Sequence, residues 1–135
     1  MPKEDYLLKY LEKLSRVIAA MVGFRDKGFP EDALRLVDET YKELLDFNLD
    51  ELAVMPLERF VDLIKQKGYT STYLETLAKL SFETANTFQT NENEDFAHSF
   101  YLKTLHLFLM LNEKDKTFSF DREKLISDIK DKIQK

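Results

Sequence analysis

The chain has 135 residues, close to one ordinary domain at roughly 150 residues each. Being 44% apolar and 33% charged, it is neither a disordered tail nor a membrane bundle. The absence of cysteine excludes disulfides, thiolate metal sites and thiol nucleophiles, and a net charge of −5 argues against an electrostatic footprint for nucleic acid.

Three glycines and three prolines are too few to punctuate a many-stranded sandwich or barrel. The opening Met1-Pro2-Lys3-Glu4-Asp5 is acidic before the first apolar position and has no signal-peptide character. The longest uncharged apolar stretch, Val17 to Phe24, is far shorter than the roughly 20 residues that span a bilayer. The expectation is a cytoplasmic protein with no membrane and no nucleic-acid partner.

A first helix runs from about Lys3 to Arg25. Leu7, Leu11, Leu14, Ile18 and Met21 recur at helical spacing, and Tyr10, Val17 and Phe24 widen the stripe. Gly28 suits the left-handed residue that ends a helix. Pro30 opens a second helix with Glu31 and Asp32 in its first turn, carrying Ala33, Leu34, Val37, Tyr41, Leu44 and Leu45 to about Phe47. So short a link makes the first two helices an antiparallel hairpin.

Asn48 to Met55 reads as a loop plus a turn of helix. A third helix begins at Pro56 with Leu57, Phe60, Val61 and Ile64, and stops at Gly68. Thr72 to Glu75 fits a capping box for a fourth helix with Leu74, Leu77, Ala78, Ser81, Ala85 and Phe88 on one face. After the polar turn Asn91–Asp95 comes a fifth helix, apolar nearly all round from Phe100 to Leu111. Such a helix is the centre of a domain or half of a subunit interface. A loop over Lys114–Ser119 leads to a last helix capped by Asp121, with Leu125, Ile126, Ile129 and Ile133 on one side. The expected fold is all-α, with about six helices in a single domain over residues 1–135.

An offset of 64 residues pairs Phe24 with Phe88, Ala33 with Ala97, Val37 with Tyr101 and Thr40 with Thr104. In each copy a helix ends in an aromatic, a polar turn follows, and a small residue early on the next helix lets the pair approach closely. Lys27-Gly28-Phe29-Pro30-Glu31-Asp32-Ala33-Leu34 resembles the inter-helix turn and following alanine of a tetratricopeptide repeat, and Asn93–Ala97 is a looser copy. The whole chain also resembles a family of uncharacterised bacterial all-helical proteins. The resemblance implies two tetratricopeptide-like hairpins flanking an intervening helix, with the last helix as a C-terminal cap. In such an array the first helix of a hairpin lines a concave groove, so Lys79, Glu83, Asn86 and Gln89 are the implied partner-binding residues.

No pattern for chemistry stands out. His98 and His106 lie eight apart, whereas ligation from one helix face wants three or four. Asp95 and His98 have the three-residue spacing of di-iron bundles, but the second such pair those sites need is missing. Asn91–Asp95 lacks the ligand order of a calcium loop. Glu39 with Glu43 reads as a solvated helix face. Lys124, Lys130, Lys132 and Lys135 alternate with Glu123, Asp128 and Asp131, so their field largely cancels. The expectation is a non-enzymatic protein–protein interaction or adaptor module with no catalytic residue, metal or cofactor. Its partner would be a protein or peptide, with a homodimer formed where helix five and the last helix leave apolar surface uncovered. The alternative is a small-molecule- or metal-binding or enzymatic bundle whose pocket gathers polar groups around His98, His106 and the tyrosines.

Overall fold

The structure is a computed structural model that describes residues 3–134, with side chains described from Leu8 to Gln134. Leu7 and Lys135, both used in the sequence reading, lie outside those side chains. The described residues form helices α1 Lys3–Asp26, α2 Pro30–Leu45, α3 Leu49–Val54, α4 Leu57–Lys67, α5 Ser71–Thr90, α6 Glu94–Lys114 and α7 Phe120–Ile133, with no strand among them.

The 64-residue offset is written into the backbone of the two tight turns. Between α1 and α2, Phe29 N–H donates to Phe24 O at 2.8 Å and Gly28 N–H to Arg25 O at 3.0 Å. Between α5 and α6, Asn93 N–H donates to Phe88 O at 2.9 Å and Glu92 N–H to Gln89 O at 3.1 Å. Both are Schellman ends, which satisfy helix carbonyls by turning one residue left-handed. That residue is Gly28 at φ +90° in the first turn and Glu92 at φ +61° in the second. The equivalence continues into the following helices, where Thr40 Oγ1 donates to Leu36 O and Thr104 Oγ1 to Phe100 O. Ala33 and Ala97 are both fully covered, but the aromatic before each turn is not equivalent: Phe88 is buried and Phe24 is 39% exposed.

The centre is the pair α5 and α6. Helix α5 packs on α1, α2 and α6, and α6 on α3, α4, α5 and α7. Phe100, Tyr101, Lys103, Leu107, Phe108 and Leu111 make a broad buried face flanked by the half-buried Leu105 and Met110, and packing on four other helices accounts for the wide apolar arc of α6; only Leu109 among its leucines is well exposed. It is therefore the central helix of the domain. Where α5 meets its neighbours, hydroxyls replace bulk. Ser81 Oγ and Thr104 Oγ1 lie 2.7 Å apart, and the Tyr41 hydroxyl lies 3.1 Å from Thr84 Oγ1. Thr84 and Thr104 also return a proton to the carbonyl one turn back. Buried hydroxyls satisfied in this way can sit at a close helix crossing without cost.

Several local expectations are corrected. Asn48–Met55, expected as loop plus a turn of helix, holds a complete short helix: Asn48 Oδ1 accepts from Glu51 N–H at 2.7 Å and Glu51 Oε1 accepts from Asn48 N–H in return, a capping box that starts α3, so the described residues form seven helices, in keeping with the about six expected. The capping box expected at Thr72–Glu75 does not form. Thr70 caps α5 by accepting from Tyr73 N–H, while Thr72 lies inside the helix and Glu75 faces Lys79 at 3.8 Å. Nor does Asp121 cap α7. Ser119 accepts from Arg122 N–H, and Asp121 sits in the first turn, where the helix dipole favours it. For α5 and α7 a hydroxyl two residues earlier was available, and caps act from the residue just outside the helix.

Glu92 holds a left-handed conformation that costs an L-residue free energy and glycine almost none. Glu92→Gly is expected to stabilise the fold by about 0.5–1 kcal/mol, and Gly28→Ala to destabilise it by about 1 kcal/mol. Urea-denaturation midpoints check both.

Candidate functional site

The outward stripe of α5 was the sequence's candidate site, and the structure divides it. Lys79 is exposed and paired only along its own helix with Glu75. Glu83, Asn86 and Gln89 instead converge with side chains from three other helices. Glu83 Oε1 accepts from Arg25 Nη1 of α1 at 3.0 Å and from Asn86 Nδ2 at 2.8 Å. Asn86 Oδ1 accepts from the hydroxyl of Tyr101 on α6. Gln89 Oε1 lies 2.8 Å from that same hydroxyl and 3.2 Å from Lys132 Nζ of α7. Lys132 also stands over the Tyr101 ring, 5.4 Å from its centroid.

Proton counting decides which of these groups can move. A tyrosine hydroxyl has one proton to give, yet Tyr101 faces two carbonyl oxygens. Asn86 is braced, because its amide nitrogen is spent on Glu83. Gln89 is exposed at the end of α5 and is the side chain free to turn. Burial first, and then the nearby Glu83 carboxylate, push the Tyr101 hydroxyl up to about 12, with Arg25 opposing. The phenol therefore stays protonated at neutral pH and acts as a donor.

This network forms one wall of a half-open cleft of about 240 Å³, lined by Gln89, Glu94, Ala97, His98, Tyr101 and Lys132. Ligand pockets for small molecules run from roughly 300 to 1,000 Å³ and are mostly apolar, so this cleft suits one or two side chains of a partner better than an enclosed metabolite. His98 thus reaches the cleft, but His106 is not in its lining. Lys132 and Tyr101 were missed as site residues. In the sequence Lys132 belongs to a charge-balanced helix with no signal linking it to α5, and Tyr101 stands out only as the repeat partner of Val37, as part of the apolar fifth helix and as one of the tyrosines of the alternative pocket. Among the described residues, no three His, Asp or Glu side chains are placed to hold a metal ion, and no helix is long and apolar enough to cross a membrane.

Comparison with known protein families, curated proteins and solved structures finds no match to this chain.

One further group has the spacing of a catalytic pair. Lys103 Nζ lies 2.7 Å from Ser99 Oγ, near enough for a lysine base to activate a serine. Two observations make the pair structural. Ser99 spends its proton on Ala53 O of α3, and Lys103 is only 3% exposed, with its ammonium 5.8 Å from the Phe60 ring centroid. Together they tie α3 and α4 to α6.

Burial lowers Lys103 from 10.5 to about 8. The folded chain therefore binds fewer protons than the unfolded chain between about pH 8 and 10.5, and stability rises with pH across that window. Tyr69 and Tyr101 are raised from 10.0 to about 12, and burial also raises Tyr41, so above pH 10 stability falls again. Denaturation midpoints are expected to climb from pH 8 to about 10 and then drop, and Lys103→Met should remove the climb. The pH series in both proteins measures it.

Proposed function

We propose that this protein is a non-enzymatic interaction module that docks a segment of another protein against the α5–α6–α7 face. The observation carrying this reading is the cleft itself. Groups from three helices converge there with unused hydrogen-bonding capacity, around a space sized for side chains. Lys132 supplies a cation at the rim, Gln89 an amide able to exchange partners, and His98 a second polar contact, while the half-buried chain Tyr101–Asn86–Glu83–Arg25 braces the wall. A rigid wall lowers the entropic cost of binding, and a polar rim around a side-chain-sized recess is the usual anatomy of such contacts. The hairpin turn repeated at Gly28 and Glu92 supports the tetratricopeptide-like kinship expected from the sequence, and with it a partner-binding role for Glu83, Asn86 and Gln89. A cytoplasmic, bacterial setting is part of the same proposal.

A second reading is a small-molecule site in the same cleft, favoured by the presence there of His98 and Tyr101. Two measurements separate the readings. A pull-down with the wild-type chain is expected to recover a protein partner whose binding weakens by about tenfold, on the order of 1.4 kcal/mol, in Gln89→Ala/Lys132→Glu, with the melting temperature unchanged. Failure to recover any partner, together with a metabolite or metal that stabilises the wild type but not His98→Ala in thermal-shift screening, would establish the second reading instead.

A further inference from the structure

Two phenylalanines at the α6–α7 connection project into water. Phe118 is 66% exposed and Phe120 81%, and their rings meet edge to face with centroids 5.1 Å apart. Their base is braced. The buried Arg122 guanidinium donates to Asn112 Oδ1 at 3.1 Å and to Asp115 Oδ2 at 3.3 Å, while Thr117 N–H donates to Asp115 Oδ1 at 3.1 Å. An exposed aromatic pair on a braced loop is a preformed knob, which loses little freedom on docking.

The same chain carries a hole of matching character on another surface. Two adjoining clefts of about 390 and 300 Å³ share Phe47, Met55 and Arg59, where α3 meets α4. Val54, 69% exposed, and Leu63 extend the apolar lining, and the Arg59 guanidinium lies 5.6 Å from the Phe47 ring centroid. Acidic Glu51 and Asp62 stand in the lining on either side of Arg59.

We propose that Phe118 and Phe120 seat in the Phe47–Met55–Arg59 groove of a second copy of this chain. Charge order selects a copy of the chain over an apolar partner in general. The exposed Lys116 precedes the aromatic pair and the exposed Asp121 follows it; the groove offers Glu51 and Asp62 to the first and Arg59 to the second. An incoming ring also meets the face of Arg59 turned away from Phe47, adding a second cation–π contact. Because knob and groove are different surfaces, the contact is heterologous, and a pair keeps one free groove on one copy and one free knob on the other. Two aromatic rings bury roughly 150–250 Å² each, which places the contact in the small, transient class below about 1,200 Å². Self-association is therefore weak and depends on protein concentration. The contact uses none of the cleft residues Gln89, His98, Tyr101 and Lys132, so it stands or falls separately from the proposed partner site.

Sedimentation velocity across a concentration series is the test. The wild type is expected to shift above the 16.0 kDa monomer as concentration rises, while Phe118→Ser/Phe120→Ser and Arg59→Glu each remain monomeric with unchanged helical content. Mixing those two variants should restore a dimer and nothing larger, because only one intact knob and one intact groove are then available. Adding Asp121→Arg to Arg59→Glu should restore self-association. A wild type that stays monomeric throughout, association untouched by the phenylalanine substitutions, or mixed variants that fail to pair would overturn the proposal. So would wild-type binding to anionic vesicles that is lost in Phe118→Ser/Phe120→Ser without any self-association.

Discussion

Helix α6 cannot leave more than a narrow strip of itself in water. Phe100, Tyr101, Lys103, Leu107, Phe108 and Leu111 form a broad buried face, the half-buried Leu105 and Met110 flank it, and other elements must take these groups out of solvent. Four helices supply that cover: α5 along one side, α7 on another, and the short α3 and α4 across a third. The rest of the architecture follows from this requirement. Helix α5, fixed to α6 by their tight turn, becomes the second central element, and the α1–α2 hairpin closes over its remaining side. Polar atoms are admitted to this interior where hydroxyls pair with one another or with carbonyls, as at Ser81–Thr104 and Tyr41–Thr84, and at Lys103, held by the Ser99 hydroxyl and the face of Phe60.

Function is thereby displaced to the edges of the central pair. At the end where α5 turns into α6, the polar side of α5 meets the last residues of α1 and α7, and the result is a chain of hydrogen bonds running from Arg25 to Lys132. The buried members of that chain are fully engaged. The exposed member, Gln89, shares a one-proton donor with Asn86 and has freedom to exchange it. This division between a braced wall and an adjustable rim is what the proposed docking role draws on, and Lys79, higher on the same stripe, pairs with Glu75 instead.

Much of this was legible in the sequence because helix periodicity and turn chemistry are local. The apolar stripes, the stops at Gly28 and Gly68, the central role open to α6 and the 64-residue correspondence were all readable from residue order. The errors were local too. Asn48–Met55 reads as loop plus a single turn of helix because the helix it holds is only six residues long and gives periodicity little to work on. The expected caps Thr72 and Asp121 fall two residues inside the observed caps Thr70 and Ser119, because cap residues are common and sequence leaves the first helical turn ambiguous by a residue or two. The candidate site was half legible. Glu83, Asn86 and Gln89 share a helix face, so spacing alone grouped them. Arg25, Tyr101 and Lys132 join them across 58, 12 and 43 residues of sequence respectively, and no periodic signal carries that information.

Amide hydrogen exchange across the whole chain tests the central role of α6 most directly. If covering this helix organises the fold, its amides from Phe100 to Leu111, together with those of the facing half of α5, should exchange only through global unfolding, with a protection free energy equal to that from denaturant titration. Exchange of the α6 amides at the rate of those in α3 or α7, while another helix retains the slowest protons, would contradict it.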